Sequence, residues 1–171
     1  YDIPHHRTTV YNRSFVAPPG VHPFATGAWR ALGASTNAFA RESQIDVMAN
    51  RAGADPLAFR LAHLTDEKMR GVLLAAAERF GWTPATAPSG RGYGVACGID
   101  ADTYVATMAE VEVDAATGRV TVKRVVCAQD MGLVINPAGA QIQMEGCITM
   151  GLGYALSEEV HFRGGAIHDL N

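Results

Sequence analysis

Residues 136–159, NPAGAQIQMEGCITMGLGYALSEE, constrain the fold of this chain more than any other stretch. They open like a helix. Asn136 is a helix-capping residue, and Pro137 suits the first helical position. Yet Gly139, Gly146, Gly151 and Gly153 fall inside, each costing up to about 1 kcal/mol relative to alanine. Gln143, Gly146, Met150 and Gly153 follow at steps of three, four and three, so they share one helix face. Glycine there lets something come close to the backbone. That something is either a neighbouring helix or strand, or a ligand to which Gln143 offers both a donor and an acceptor. Spacing alone leaves the two readings open.

The rest of the chain reads in order. Residues 8–17, TTVYNRSFVA, are rich in β-formers and are expected as a strand, and PPGVHP then forces an irregular turn. GAWRALGAS, residues 27–35, sets two glycines around an aromatic and an arginine and reads as a loop. Ala38, Ile45, Ala49 and Ala52 recur at helical spacing, so 36–52 is expected as a helix that Gly53 ends. Asp55-Pro56 starts a second helix that runs to about Leu64. Thr65 is the expected cap of a third, with Asp66 and Glu67 in its first turn. Met69, Leu73, Ala76 and Phe80 give it an apolar stripe, and Gly81 follows its end. TPATAPSG, residues 83–90, is a linker.

The second half changes character. YVATMAEVEVD alternates, with Val105, Thr107, Ala109, Val111 and Val113 on one face. AATG turns and RVTVKRVVCAQD alternates again, which predicts a β-hairpin over 103–130. After the glycine-rich helix, EEVHFRGGAIHDL makes a last hairpin at Gly164-Gly165. The order predicts an α+β class of mixed helices and antiparallel hairpins, not a doubly wound sheet.

Composition narrows the functional classes. At 48% hydrophobic and 18% charged, the 171 residues are those of a well-buried globular chain, one domain or one large piece of a bigger one. A net charge of -3 gives no electrostatic case for nucleic acid or an anionic membrane. No apolar run is long enough to span a bilayer, and no signal peptide opens the chain. Cys97, Cys127 and Cys147 are widely spaced and form no CxxC, so neither a zinc site nor a disulfide framework is suggested. The chain starts at Tyr1 without a methionine and stops just after a hairpin signal. A fragment of a longer protein is expected, with the determinant of its compartment hidden upstream.

Local motifs yield little by themselves. His5, His6 and His22 lack a further partner at ligand spacing and are expected as solvated histidines. Glu110 and Glu112 share a strand face and are expected as a solvent-facing row. GRGYG at 90–94 and GLGYA at 151–155 lack the GxGxxG spacing of a phosphate loop. Cys147 on a helix is expected to be a small buried cysteine, not a nucleophile. No catalytic residue and no metal ligand is nominated.

Longer segments carry more. GAWRALGASTNAFARESQIDVMANRAGADPLAFRLAHL, residues 27–64, has an Arg-x-x-Gly loop, a helix with Glu-Ser, then Asp-Pro and Phe-Arg. Residues 109–159 have a strand pair, then Asn-Pro, Gln-x-Glu-Gly and a Gly-x-Gly helix. Together they resemble the molybdenum hydroxylases, the xanthine oxidase and aldehyde oxidoreductase family. Trp29-Arg30 and AERFGW at 77–82 are most similar to the isoquinoline 1-oxidoreductase β-subunit branch, which also includes nicotinate and aldehyde dehydrogenases. The likeness covers most of residues 24–171, in order.

The resemblance implies part of the molybdopterin-binding domain of a large subunit, in two sections: a loop with helices over 24–82, and hairpin, glycine-rich helix and hairpin over 91–171. It implies binding of molybdopterin cytosine dinucleotide, and hydroxylation of an N-heterocycle or oxidation of an aldehyde, with water as oxygen source. Electrons would leave through 2Fe–2S clusters on a small partner subunit. By resemblance, Gln143 matches the glutamine that hydrogen-bonds the pterin, with Gly146 beside it. Arg30 matches the arginine of the loop beside the molybdenum. Leu32, with Trp29, matches the loop that lines the substrate pocket, where the family often has an aromatic at the position of Leu32. The family's dinucleotide-contacting glycine loops and its Gly-x-Gly-Glu motif with the base glutamate are absent from these residues. The chain alone is therefore expected to be inactive and to hold no molybdenum. The parent would be of bacterial type, cytoplasmic or periplasmic. The alternative is a non-catalytic scaffold or interaction domain that keeps the fold.

Overall fold

The computed structural model describes residues 1–9, 29–84 and 90–169. Their order is α1 (Gly33–Arg51), α2 (Pro56–Ala62), α3 (Glu67–Phe80), β1 (Arg91–Asp100), β2 (Thr103–Val113), β3 (Val120–Asp130), α4 (Pro137–Leu156), β4 (Phe162–Arg163) and β5 (Ala166–Ile167). The class is α+β, as expected. The strand expected over 8–17 lies outside the described residues from Val10 onward, and Thr8 and Thr9 are in no strand. The turn at 18–23, His22 and most of the 83–90 linker also lie outside them.

The helix signals hold, with one shift. Asp55 accepts from the N–H groups of Leu57 and Ala58 and caps α2, whose first residue is Pro56. The cap of α3 is Asp66, not Thr65: its carboxylate accepts from Met69 N–H. A charged acceptor at the positive end of a helix is the stronger of the two capping groups. Gly81, at φ 71°, ends α3 in the left-handed conformation. α1 starts at Gly33, three residues before the expected boundary, with no side-chain cap.

The expected hairpin is two-thirds of an antiparallel sheet of order β1-β2-β3. β1 escapes a reading by alternation because Gly92, Gly94 and Gly98 stand at every second position except that of Ala96, leaving Val95 and Cys97 as its only buried residues. α3 packs on one face of this sheet. Met69, Val72, Leu73, Ala76 and Phe80 meet Val95, Cys97, Ala106 and Met108, and Tyr104, Val126 and Ala128 flank them. Burying one such large side chain contributes about 1.5–3 kcal/mol, so this cluster is the stabilising core.

Two expectations about β2 are corrected. The face expected to be apolar, from Val105 to Val111, is only half-buried, while Ala106 and Met108 on the opposite face are fully buried. Both faces are apolar, and the small Ala106 is what admits the helix. Glu110 therefore does not lie in a solvent-facing row. It shares the helix-side face, pairs with Arg91 at 3.2 Å and Arg124 at 3.7 Å, and its side chain is 13% exposed. Between Glu110 and Val111 the register slips, and Lys123 is the bulged residue opposite. Arg124, in step with Val126 and Ala128, lies on the helix side, where its guanidinium is 4.4 Å from the centre of the Phe80 ring and donates to Phe80 O at 2.8 Å.

α4 follows its sequence signals and then departs from ordinary packing. The Asn136 side chain accepts from Gly139 N–H and Pro137 is the first helical residue, yet none of the 20 residues is buried. The chain closes with β4 and β5, joined at Gly164-Gly165, both at positive φ. No helix among the described residues is long and apolar enough to cross a membrane.

Candidate functional site

The loop 29–32 and one stripe of α4 meet. Trp29 donates its indole N–H to Tyr154 Oη at 2.6 Å, with the rings edge-to-face at 6.5 Å between centroids. Arg30 donates to Met150 Sδ at 3.0 Å and to Cys147 Sγ at 3.4 Å. Gln143 reaches the same thiol, with Nε2 3.8 Å from Cys147 Sγ. Gln143, Cys147, Met150 and Tyr154 are spaced four, three and four, so they form a continuous helix stripe, and the loop lies along it. Sulfurs are weak acceptors. No described carboxylate pairs with Arg30, and no described donor reaches the Gln143 amide oxygen.

The loop is bent into this position at a cost. Ala31 and Leu32 both have positive φ, 71° and 48°, without being glycine. Such conformations cost of order 1 kcal/mol or more each and persist only where surroundings hold them. Leu32 is left 63% exposed at the start of α1.

The four glycines of α4 separate into two kinds. A side chain at Gly139 would collide with the capping Asn136, and one at Gly153 would collide with the Glu158 carboxylate, so those two serve local close approach. Beside Gly146 and Gly151 there is open space. Of the face chosen by spacing, Met150 touches the loop through Arg30, Gln143 reaches Cys147 on the same helix, and Gly153 is approached by Glu158. Cys147 is not the buried cysteine expected. It is exposed, although the Arg30 guanidinium reaches its thiol.

A second polar constellation is buried and fully bonded. Arg60, 0% exposed, donates to Glu42 Oε2 at 3.0 Å, to Glu42 O at 3.1 Å and to Asp46 Oδ1 at 2.6 Å. Glu42 also accepts from Arg41 at 2.9 Å, from Cys97 N–H at 3.1 Å and from the Tyr1 hydroxyl at 2.8 Å. Burial pushes the Glu42 carboxyl up, but these donors, Arg41 first, outweigh it and hold it below the ordinary range. Burial and the Glu42 charge push the Cys97 thiol up to about 11, which leaves it inert at neutral pH. With every group satisfied, this knot is a fastener: it pins α1 to α2 and to β1, and so fixes the helix that carries the 29–32 loop. Sequence motifs flagged Glu42 and Arg60 only as parts of Glu-Ser and Phe-Arg pairs. Their mutual contact came from folding.

A sequence model of the molybdopterin cofactor-binding domain matches residues 33–169. The chain belongs to that family. The molybdopterin-binding chain is 35% identical to a nicotinate dehydrogenase subunit of Pseudomonas putida over 179 aligned residues, which takes in 95% of this chain and 14% of the relative. It is 37% identical to the beta subunit of isoquinoline 1-oxidoreductase from Brevundimonas diminuta, across 83% of this chain and 19% of that protein. A 58-residue stretch is 41% identical to the molybdenum-binding subunit of an Escherichia coli aldehyde oxidoreductase, covering 34% of this chain and 8% of the relative. These are molybdenum hydroxylases of the xanthine dehydrogenase and aldehyde oxidase kind, so the family is one of oxidoreductases. The chain spans less than a fifth of the length of each of the three.

Of the residues singled out by sequence, folding brings Trp29 and Arg30 against the α4 stripe that carries Gln143, while Gly146 sits on the same helix without a described side-chain contact and Leu32 is exposed at the start of α1. It adds Tyr154, Cys147 and Met150 as their contacts. Tyr154 carried no signal of its own, since an aromatic near the end of a helix is ordinary.

Proposed function

We propose that the loop 29–32 and α4 form the wall of a molybdenum hydroxylase large subunit that receives the pterin of molybdopterin cytosine dinucleotide and the substrate. The observation that carries this is the convergence of Arg30 and Gln143 on Cys147 beside the open backbone of Gly146. An amide whose oxygen accepts from no described donor and whose N–H2 is weakly engaged fits the polar edge of a pterin. A guanidinium that, among the described residues, bonds only sulfurs keeps its charge for an anionic or electron-rich group. The cofactor, when bound, supplies two-electron oxidation at an electron-poor carbon with oxygen from water. This chain's part is to hold and orient. Gln143 bonds the pterin edge, the absence of a side chain at Gly146 lets it approach, Arg30 sits beside the reacting end, and Leu32 with Trp29 borders the substrate.

The relatives' names favour an N-heterocycle or an aldehyde as substrate, and their being subunits suits a separate partner, which on this reading carries the 2Fe–2S clusters that accept electrons. The exposed Ile142 and Leu156 on α4 suit a helix whose other walls come from further segments of a longer subunit. Alone, the chain is expected to retain no molybdenum and to hydroxylate nothing. The test is Gln143→Leu in the complete subunit. Loss of one buried hydrogen-bond partner costs about 1–3 kcal/mol, so cofactor affinity should fall roughly 5- to 150-fold while the melting temperature without cofactor barely changes. Full molybdenum and cytosine nucleotide content with a lowered melting temperature would make Gln143 structural and favour a non-catalytic scaffold.

A further inference from the structure

We infer that Tyr154 is a positioning residue, which through the Trp29 indole sets where the 29–32 loop stands against α4 and hence how wide a substrate the pocket admits. The inference rests on the functional reading above for the pocket itself, but its anchor is a matter of this chain's own geometry. The loop has two described ties to α4, and they differ in kind. Arg30 reaches a thiol and a thioether, both weak and adaptable acceptors. Trp29 makes a short, directional bond of 2.6 Å to a phenol oxygen. An indole has one N–H and nothing else to offer, so Tyr154 fixes its ring in a single place.

The loop needs such an anchor. Ala31 and Leu32 are held at positive φ, α1 begins without a side-chain cap, and Leu32 has no described hydrogen bond beyond its N–H to Trp29 O. Freed from Trp29, the two strained residues would relax toward ordinary backbone, and the exposed Leu32 side chain would move with them. The arrangement also has a metric consequence. Gln143 and Tyr154 stand 11 residues apart on one continuous helix, about 16 Å at 1.5 Å per residue. One rigid element therefore sets both the residue proposed to hold the cofactor and the residue that holds the substrate loop. Their separation does not depend on how the rest of the subunit packs.

The experiment uses the complete subunit with its cofactor, labelled with 5-fluorotryptophan. The Trp29 resonance is the one that vanishes in Trp29→Phe. In Tyr154→Phe that resonance should shift and broaden, molybdenum content should stay at the wild-type level, and the ratio of kcat/KM for a one-ring over a two-ring N-heterocycle should change by about threefold to tenfold, the range of one neutral hydrogen bond. Tyr154→Phe added to Trp29→Phe should change the ratio no further, because the pair acts as a unit. An unmoved resonance overturns the anchor, whatever the cofactor state. A moved resonance with an unchanged substrate ratio overturns the positioning role. A parent subunit that carries no molybdenum overturns the functional reading, and the pocket half of this inference with it, while the resonance still decides the anchor.

Discussion

α3 and α4 are both helices beside the same sheet, and they are held by opposite means. α3 buries Met69, Val72, Leu73, Ala76 and Phe80 against three strands, is capped by Asp66 and closes on a left-handed Gly81. α4 is longer and capped as well, yet buries nothing, and the groups it gathers are an arginine, a glutamine, two sulfurs and a pair of aromatics. The first is a helix that stabilises the chain. The second, on the function proposed for it, is a helix against which a cofactor is placed. Glycine at Gly146 and Gly151 is a liability in a helix stabilised by its own packing, and an asset in one that presents its backbone.

Two arginines separate these regions most sharply. Arg60→Met leaves the Glu42 carboxylate without its one fully buried cationic partner and should destabilise the chain by about 3–5 kcal/mol, read by urea denaturation. Arg30→Met removes an exposed guanidinium whose described partners are two sulfurs, and should change stability by no more than about 0.5 kcal/mol. Equal losses would mean that the two regions are not distinct.

The same contrast holds for apolar truncations. Leu73→Ala, at a fully buried position, should cost about 2–5 kcal/mol, whereas Ile142→Ala, 69% exposed, should stay within about 0.5 kcal/mol in the chain alone. A large loss at Ile142 would show that α4 supports the core after all.

Titration should report on the fastener region. The folded-state pKa of Glu42 is lowered, so its contribution is present above the unfolded carboxylate range and is lost as pH falls through the folded value. The Cys97 thiol is raised to about 11, so its contribution is complete below the ordinary thiol range and is lost as pH rises toward about 11. Denaturation midpoints measured across pH should fall at both ends. Glu42→Gln should flatten the acid limb, and Cys97→Ala should flatten the alkaline one.

The smallest effect on the fold, and the most specific on function, belongs to Leu32→Phe. In the complete subunit it should alter the ratio of kcat/KM between narrow and wide substrates by roughly threefold to tenfold while molybdenum content and melting temperature stay put, as for a change of pocket shape worth about 1 kcal/mol. A drop in melting temperature without a change of substrate preference would return Leu32 to the core.

What sequence alone determined are the features whose cause is local. Caps, prolines and glycines set the ends of α2, α3 and α4 because each acts within one turn of chain. The turn at Gly164-Gly165 is fixed in the same way, and family motifs singled out Arg30, Gln143 and Gly146. Tertiary structure decided whatever depends on which surface meets which. Alternation pointed to the face of β2 from Val105 to Val113, and the seating of α3 on Ala106 and Met108 chose the other. The glycines of β1 erased its pattern, so the third strand became visible only through its pairing with β2. Glu42 and Arg60 lie 18 residues apart, and Trp29 and Tyr154 lie 125 apart. No periodicity joins residues at such separations. Their contact exists because α1, held by the buried carboxylate at its middle, carries the loop at its start to the side of α4.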